Sequence, residues 1–184
     1  MQHKQIETIE CAIDALLEDY LNRHSKALVV RFDVHYPENY PMVSGNEDIS
    51  ACMAYVVKKY KRQGLDPSYI WVREQHCSIH PHYHCALFLN GQKVRGYRHV
   101  FQNVEEAWGR RTLGCSISGC INYCLSDNDS DYNGKMIRRD AGPVIFDIRR
   151  NEVLHQLSYL AKAYTKELGY DGLRNFGCSR ILNG

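Results

Sequence analysis

The chain has no run near the roughly 18 consecutive apolar residues that a membrane span needs, and its opening MQHKQIETIE lacks the apolar stretch of a secretion signal. These absences predict a cytoplasmic protein with no membrane partner. No CxxC pair occurs among eight cysteines; the nearest grouping, Cys115, Cys120 and Cys124, has gaps that match no common zinc module. Without secretion, the cysteines read as reduced thiols packed as small hydrophobes rather than as a disulfide framework. Repeats and low-complexity stretches are absent too. With 44% hydrophobic and 24% charged residues and a mean hydropathy of -0.46, the composition excludes a disordered tail protein. What remains is 184 residues, expected to form one domain over 1–184 with a real core.

A net charge of +2 says little, but its distribution says more. Residues 1–24 hold two basic groups (Lys4, Arg23) against five acidic ones (Glu7, Glu10, Asp14, Glu18, Asp19), a net of −3, so residues 25–184 carry +5. Basic side chains there cluster at Lys58–Arg62, at Lys93, Arg95 and Arg98, at Arg110 and Arg111, and from Lys135 to Arg150. A polyanion partner fits this pattern, and so do solvated helix ends.

Periodicity gives the elements. Residues 4–22 place Ile6, Ile9, Ile13, Leu16, Leu17 and Tyr20 at helical spacing, an acidic amphipathic N-terminal helix. ALVVRFDVH (27–35) reads as a strand whose polar side carries Arg31, Asp33 and His35. A proline-containing loop leads to the helix ISACMAYVVKKYKRQG, capped by Gly64. YIWVREQ (69–75) and HYHCALFL (82–89) are strands, the second ended by Asn90-Gly91, and 98–109 is a short helix. VIFDI (144–148) is expected to be another strand and 151–168 a helix, whereas 112–143 is the least readable part. This order predicts an α+β domain with a single, mainly antiparallel sheet flanked by helices.

The sharpest local signal is HPHYH (80–84). On a strand, His82 and His84 project the same way, about 7 Å apart at the backbone, so two imidazoles can share one cation. If the preceding strand pairs with this one as a hairpin, Glu74 reaches the same face. Two imidazoles and a carboxylate with open positions describe a catalytic divalent site suited to Mn²⁺ or Mg²⁺. The competing readings are a histidine-rich turn, with His76 and His80 as bystanders, and zinc held with Cys77 or Cys85. Cys85 points away from His84.

A second signal lies in NEVLHQLSYLAKAYTKELG (151–169). Val153, Leu157, Leu160, Ala161, Tyr164 and Leu168 form an apolar face; His155, Tyr159, Lys162 and Lys166 lie opposite. A phenol has a reference pKa of about 10 and is a poor nucleophile at neutral pH. Ammonium groups one turn away favour the phenolate and attract a phosphate, as a tyrosine nucleophile for a phosphodiester requires. A solvated helix face that includes a tyrosine is the bland alternative.

These residues resemble the HUH endonucleases, the rolling-circle replication initiators, named for a His-hydrophobic-His strand, here His82-Tyr83-His84. Tyr159-Leu160-Ala161-Lys162 looks like their YxxK nucleophile motif. A closer resemblance is to the inovirus gene-two-type family, which includes prophage proteins of the YagK and YfjJ kind. It is carried by RFDVHYP (31–37), YIWVREQ (69–75), HYHCALFLNG (82–91), EAW (106–108), LSYLAKAYTKELG (157–169) and FGCSR (176–180). The resemblance implies an HUH/Rep-like sheet with the tyrosine helix packed across it. It implies a divalent metal, Mn or Mg, on Glu74, His82 and His84, attack by Tyr159 to give a 5′-phosphotyrosine and a free 3′-OH, and charge stabilisation by Lys162 and Lys166. His155 is placed to orient the phenol or to line the site. The implied partners are single-stranded DNA at a replication origin and host helicase and polymerase. Lys93, Arg95 and Arg98 are candidate DNA contacts, and Trp71 or Tyr97 candidate base-stacking rings. No GxxxxGK sequence is present, so the fused helicase of many viral initiators is not expected. Two alternatives stand beside this one. The first is a catalytically inactive, single-stranded nucleic-acid-binding regulator on the same fold. The second is a two-histidine phosphoesterase, which the lack of paired HxT or HxS motifs disfavours.

Overall fold

The computed structural model describes residues 2–75, 78–94, 96–112, 115–125, 133–163 and 173–181, without the side chains of residues 2–5 and 163. In chain order the elements are α1 (Gln2–Arg23), β1 (Lys26–Val34), α2 (Glu47–Arg62), β2 (Ser68–Glu74), β3 (His82–Asn90), α3 (Arg98–Arg111), β4 (Ile121–Asn122), β5 (Lys135–Arg138), a 3-10 turn (Arg139–Ala141), α4 (Pro143–Ala163) and β6 (Phe176–Cys178). The sheet runs β4-β1-β3-β2-β6, with β5 also on β1, and each of these pairs is antiparallel. The α+β architecture is therefore the one expected.

Alternation along the strands builds a core on each face. Leu28, Val30, Phe32 and Val34 of β1, with Trp71, Tyr83, Cys85 and Leu87, pack against Cys52, Met53 and Val56 of α2 and Val100, Val104 and Trp108 of α3. Ala27, Val29, Ile70, Val72, Ala86 and Phe88 face the other way, onto Ile13, Leu16, Leu17 and Tyr20 of α1 and Val153, Leu157, Leu160 and Ala161 of α4. Covering both faces lets the central strands be apolar nearly throughout. Trp71 is buried edge-on against Tyr83, and Tyr97 packs on Phe101, so both rings belong to this packing.

The segment VIFDI is the clear correction: residues 144–148 form the first turns of α4, not a strand. Gly142, at φ 87°, turns the chain, and Pro143 then occupies the first helical position, where its fixed φ and missing N–H cost nothing. Only Phe146 of this stretch turns inward; Val144, Ile145 and Ile148 remain exposed. Their β-branched character mimicked a strand. The expected cap at Gly64 holds, with φ 68° just beyond α2. The seven described cysteines are free, but Cys11 and Cys115 are exposed rather than packed in the core; Cys77 lies outside the described residues.

Within 112–143, two short strands share the outer edge of β1. β4 pairs at Asp33 and Val34, and β5 pairs from Lys26 to Val29. Between them the buried side chain of Asn133 replaces a strand partner. Its Oδ1 accepts the Arg31 N–H at 3.0 Å, and its Nδ2 donates to the carbonyls of Arg31 and Tyr123, each at 2.5 Å.

Candidate functional site

The face of the sheet under α1 and α4 is apolar at one end and polar at the other. On β1 the inward sequence passes from Ala27 and Val29 to Arg31, Asp33 and then His35; on β3 it runs from Phe88 and Ala86 to His84 and His82. Register pairs Asp33 with His84 and Glu74 with His82. Six polar side chains thus meet where α4 crosses, and Arg31, Asp33 and His84 among them are buried.

His84 is the hub. Its Nδ1 lies 2.9 Å from Asp33 Oδ1 and its Nε2 2.8 Å from Glu74 Oε2. A carboxylate oxygen on each side is the setting that favours the doubly protonated ring. Burial alone would lower its pKa, but hydrogen bonds and charge from Asp33 and Glu74 outweigh burial and raise it. Asp33 shows the reverse balance: burial opposes ionisation, yet His84 and Arg31 hold its carboxyl below the ordinary range. Cys124 also bonds to Asp33, and burial, followed by that carboxylate, pushes the thiol up to about 12. His35 and His82 pack edge to face with ring centroids 4.3 Å apart. Burial is the main cause lowering the pKa of each, so both are neutral imidazoles near neutral pH.

Tyr159 reaches this cluster from α4. Its ring stands edge to face with His84, centroids 5.6 Å apart, and the Arg31 guanidinium carbon sits 4.0 Å from the ring centroid. The tyrosine is 45% exposed, open to a ligand on one side and packed on the other. The cation over its ring is Arg31, not a lysine of its own helix. Lys162 lies exposed on the next turn, while Lys166 and Tyr164 fall outside the described residues. His155 is exposed.

The structure thus brings Glu74, His82, His84 and Tyr159 to one place. It does not bring the candidate DNA contacts there. Lys93 and Arg98 line a cavity of about 770 Å³ with Gln63, Tyr97 and Asn103, beyond the far end of β3, and Arg95 is outside the described residues. The nine residues of β3 separate the two regions by about 26 Å. His80 is buried beside Tyr36 and Tyr40, and His76 lies outside the description. A shallow hollow of about 450 Å³, lined by His35, Ile121, Asn122, Tyr123 and Leu125, borders the polar cluster.

Asp33, Arg31 and His35 are functional candidates that motif reading passed over. Their signal was present, since three polar residues alternate on a strand otherwise apolar, but only the β1–β3 register shows that they face His84 and His82. Among the described residues, no three His, Cys, Asp or Glu side chains converge as a ready metal-ligand group. Nor is any described helix long and apolar enough to cross a membrane.

Fold and site together define an α+β sheet protein with a histidine–carboxylate cluster faced by a helix-borne tyrosine. Residues 2–179 match the YagK/YfjJ C-terminal domain, and the chain belongs to that family. It is 26% identical to "Uncharacterized protein YfjJ" of Escherichia coli (strain K12), with 91% of each chain covered. It is also 26% identical to "Uncharacterized protein YagK" of the same organism, covering 92% of this chain and 90% of the relative. No solved structure matches.

Proposed function

We propose that the protein is a single-tyrosine HUH-type endonuclease that nicks and rejoins single-stranded DNA at a phage or prophage replication origin. The observation that carries this reading is the seat of Tyr159 against His84, at 5.6 Å between ring centroids, beside Glu74. A phenol from one helix and an imidazole–carboxylate pair from two strands meet where a phosphodiester can touch both.

In this reading Glu74, His82 and His84 hold Mn²⁺ or Mg²⁺. The donor chemistry fits. Asp33 engages Nδ1 of His84, so Nε2, which faces Glu74, is the nitrogen that would ligate once a cation takes the place of the proton shared with Glu74. A divalent cation there supplies Lewis-acid polarisation of the scissile phosphate.

The chain's own residues do the rest. Tyr159 Oη attacks phosphorus in line, forming the P–O(tyrosine) bond as the P–O3′ bond breaks. The phenol gives up its proton, and the departing 3′ oxygen gains one to become a 3′-OH that a host polymerase can extend. The phosphotyrosine conserves the phosphodiester, so a later 3′-OH reverses the step without ATP. Lys162, one turn on along α4, and Lys166 offset the charge that develops. Lys93 and Arg98 serve the strand at a distance from the cluster, with Arg95 a further contact.

The test is incubation with short single-stranded oligonucleotides from neighbouring intergenic DNA plus Mn²⁺, read as a denaturation-resistant shifted band. Tyr159→Phe should lose the band and keep binding; normal cleavage by that variant removes Tyr159 as the nucleophile. One observation favours the second reading, a catalytically inactive single-stranded nucleic-acid-binding regulator: His84 is engaged on both nitrogens by acids. Salt-sensitive binding with no adduct for any oligonucleotide would decide for it.

A further inference from the structure

We propose that Arg31 is the positioning residue for Tyr159, a flat platform that holds the phenol ring over His84. The inference rests on the reading of Tyr159 as the nucleophile. It starts from a mismatch in order. Tyr159 is 45% exposed, at the edge of its helix, yet in-line attack demands a fixed ring. Arg31, beneath it, is only 6% exposed and held at both ends. Asn133 bonds its backbone N–H and carbonyl at 3.0 and 2.5 Å, and Asp33 accepts from Nη2 at 3.2 and 3.4 Å.

The pose of the guanidinium points to the ring. An arginine placed only to neutralise Asp33 would present two nitrogens side by side to the two carboxylate oxygens, the strongest geometry for such a pair. Here both contacts to Asp33 come from Nη2, and the buried Nε has no hydrogen-bond partner among the described residues. The fork is given up while the guanidinium carbon lies 4.0 Å from the Tyr159 centroid. A planar, weakly hydrated guanidinium suits that stacking better than an ammonium does. Asp33 also bonds His84, so one buried carboxylate sets both the imidazole and the platform on which the tyrosine rests.

A charge-only role and a platform role part company in Arg31→Lys. Lysine keeps a cation for Asp33 but offers no flat face. The protein is labelled with 3-fluorotyrosine, and the Tyr159 fluorine resonance is identified by its loss in Tyr159→Phe. Arg31→Lys and Arg31→Met should both move that resonance toward the free amino acid value. Arg31→Lys should keep wild-type unfolding behaviour and oligonucleotide affinity, which guards against a folding failure in Arg31→Met. Its single-turnover adduct formation should fall by about 10- to 100-fold. An unmoved resonance in both variants, or full rate in Arg31→Lys, overturns the proposal. If the wild type forms no adduct with any oligonucleotide, the nucleophile reading fails, and the resonance alone decides whether Arg31 holds the ring.

Discussion

Replacing Asp33 with Asn removes the charge that organises the polar cluster while nearly preserving its shape. The carboxylate is 6% exposed and bonds His84 at 2.9 Å and Arg31 at 3.2 Å. The two partners respond differently to its loss. An imidazolium facing one acid instead of two sheds its proton more readily, which limits its share to about 1 kcal/mol. Arg31 has no such escape, because a guanidinium does not deprotonate in proteins. Its side chain is 7% exposed, and breaking a buried pair on one side costs about 3–5 kcal/mol, from which an amide oxygen recovers about 1 kcal/mol. The expected net loss is about 3–5 kcal/mol, or about 6–20 °C in Tm for a domain of 184 residues. Urea unfolding near neutral pH with EDTA present measures it. Adding Arg31→Met to Asp33→Asn should restore about 2 kcal/mol, because both charges are then gone. A single-variant loss below about 1 kcal/mol, or strict additivity in the double variant, would refute a charge-organised site.

Asn133→Ala leaves the buried backbone N–H and carbonyl of Arg31 unpaired, and is expected to cost about 2–4 kcal/mol; hydrogen exchange at the Arg31 amide should accelerate with it. Asp66 gives the pH dependence. Burial raises its pKa, but His24 and Arg23 outweigh burial and leave the folded carboxyl below the ordinary value. Its contribution is therefore complete above the unfolded value and is lost as pH falls through the folded one. Asp66→Asn should flatten the acid limb of the stability curve below about pH 4, measured by urea midpoints. Replacing Lys93 and Arg98 together with Gln should lower the salt slope of single-strand binding by about 1.4 and leave the adduct rate at saturating oligonucleotide unchanged. An unchanged slope would take their cavity out of the strand's path.

The elements with long, regular periodicity were legible in the sequence. α1, β1, α2, β2, β3 and α3 all fall within a few residues of where apolar spacing put them. So did the shared face of His82, His84 and Glu74, because alternation on a strand is a local rule. What could not be read was pairing between distant strands. Nothing local says that Asp33 lies opposite His84, fifty-one residues on, and so the carboxylate and arginine of β1 went unassigned. The 112–143 region was opaque for another reason. A two-residue β4 and a four-residue β5 carry no period, and the side chain that joins them to β1, Asn133, looks like any loop asparagine. VIFDI misled because local strand preference there yields to a helix begun by Gly142-Pro143.

The placing of β5 and β6 has a mechanical consequence. α4 follows β5, which is stitched to β1 on one flank of the sheet, and precedes β6, which is stitched to β2 on the opposite flank. The tyrosine helix therefore starts from an anchored edge of the sheet, with the polar cluster beneath it. A displacement of β5 at the edge of β1 is passed through Arg139–Gly142 to the first turn of the helix that carries Tyr159, without touching a residue of the cluster itself.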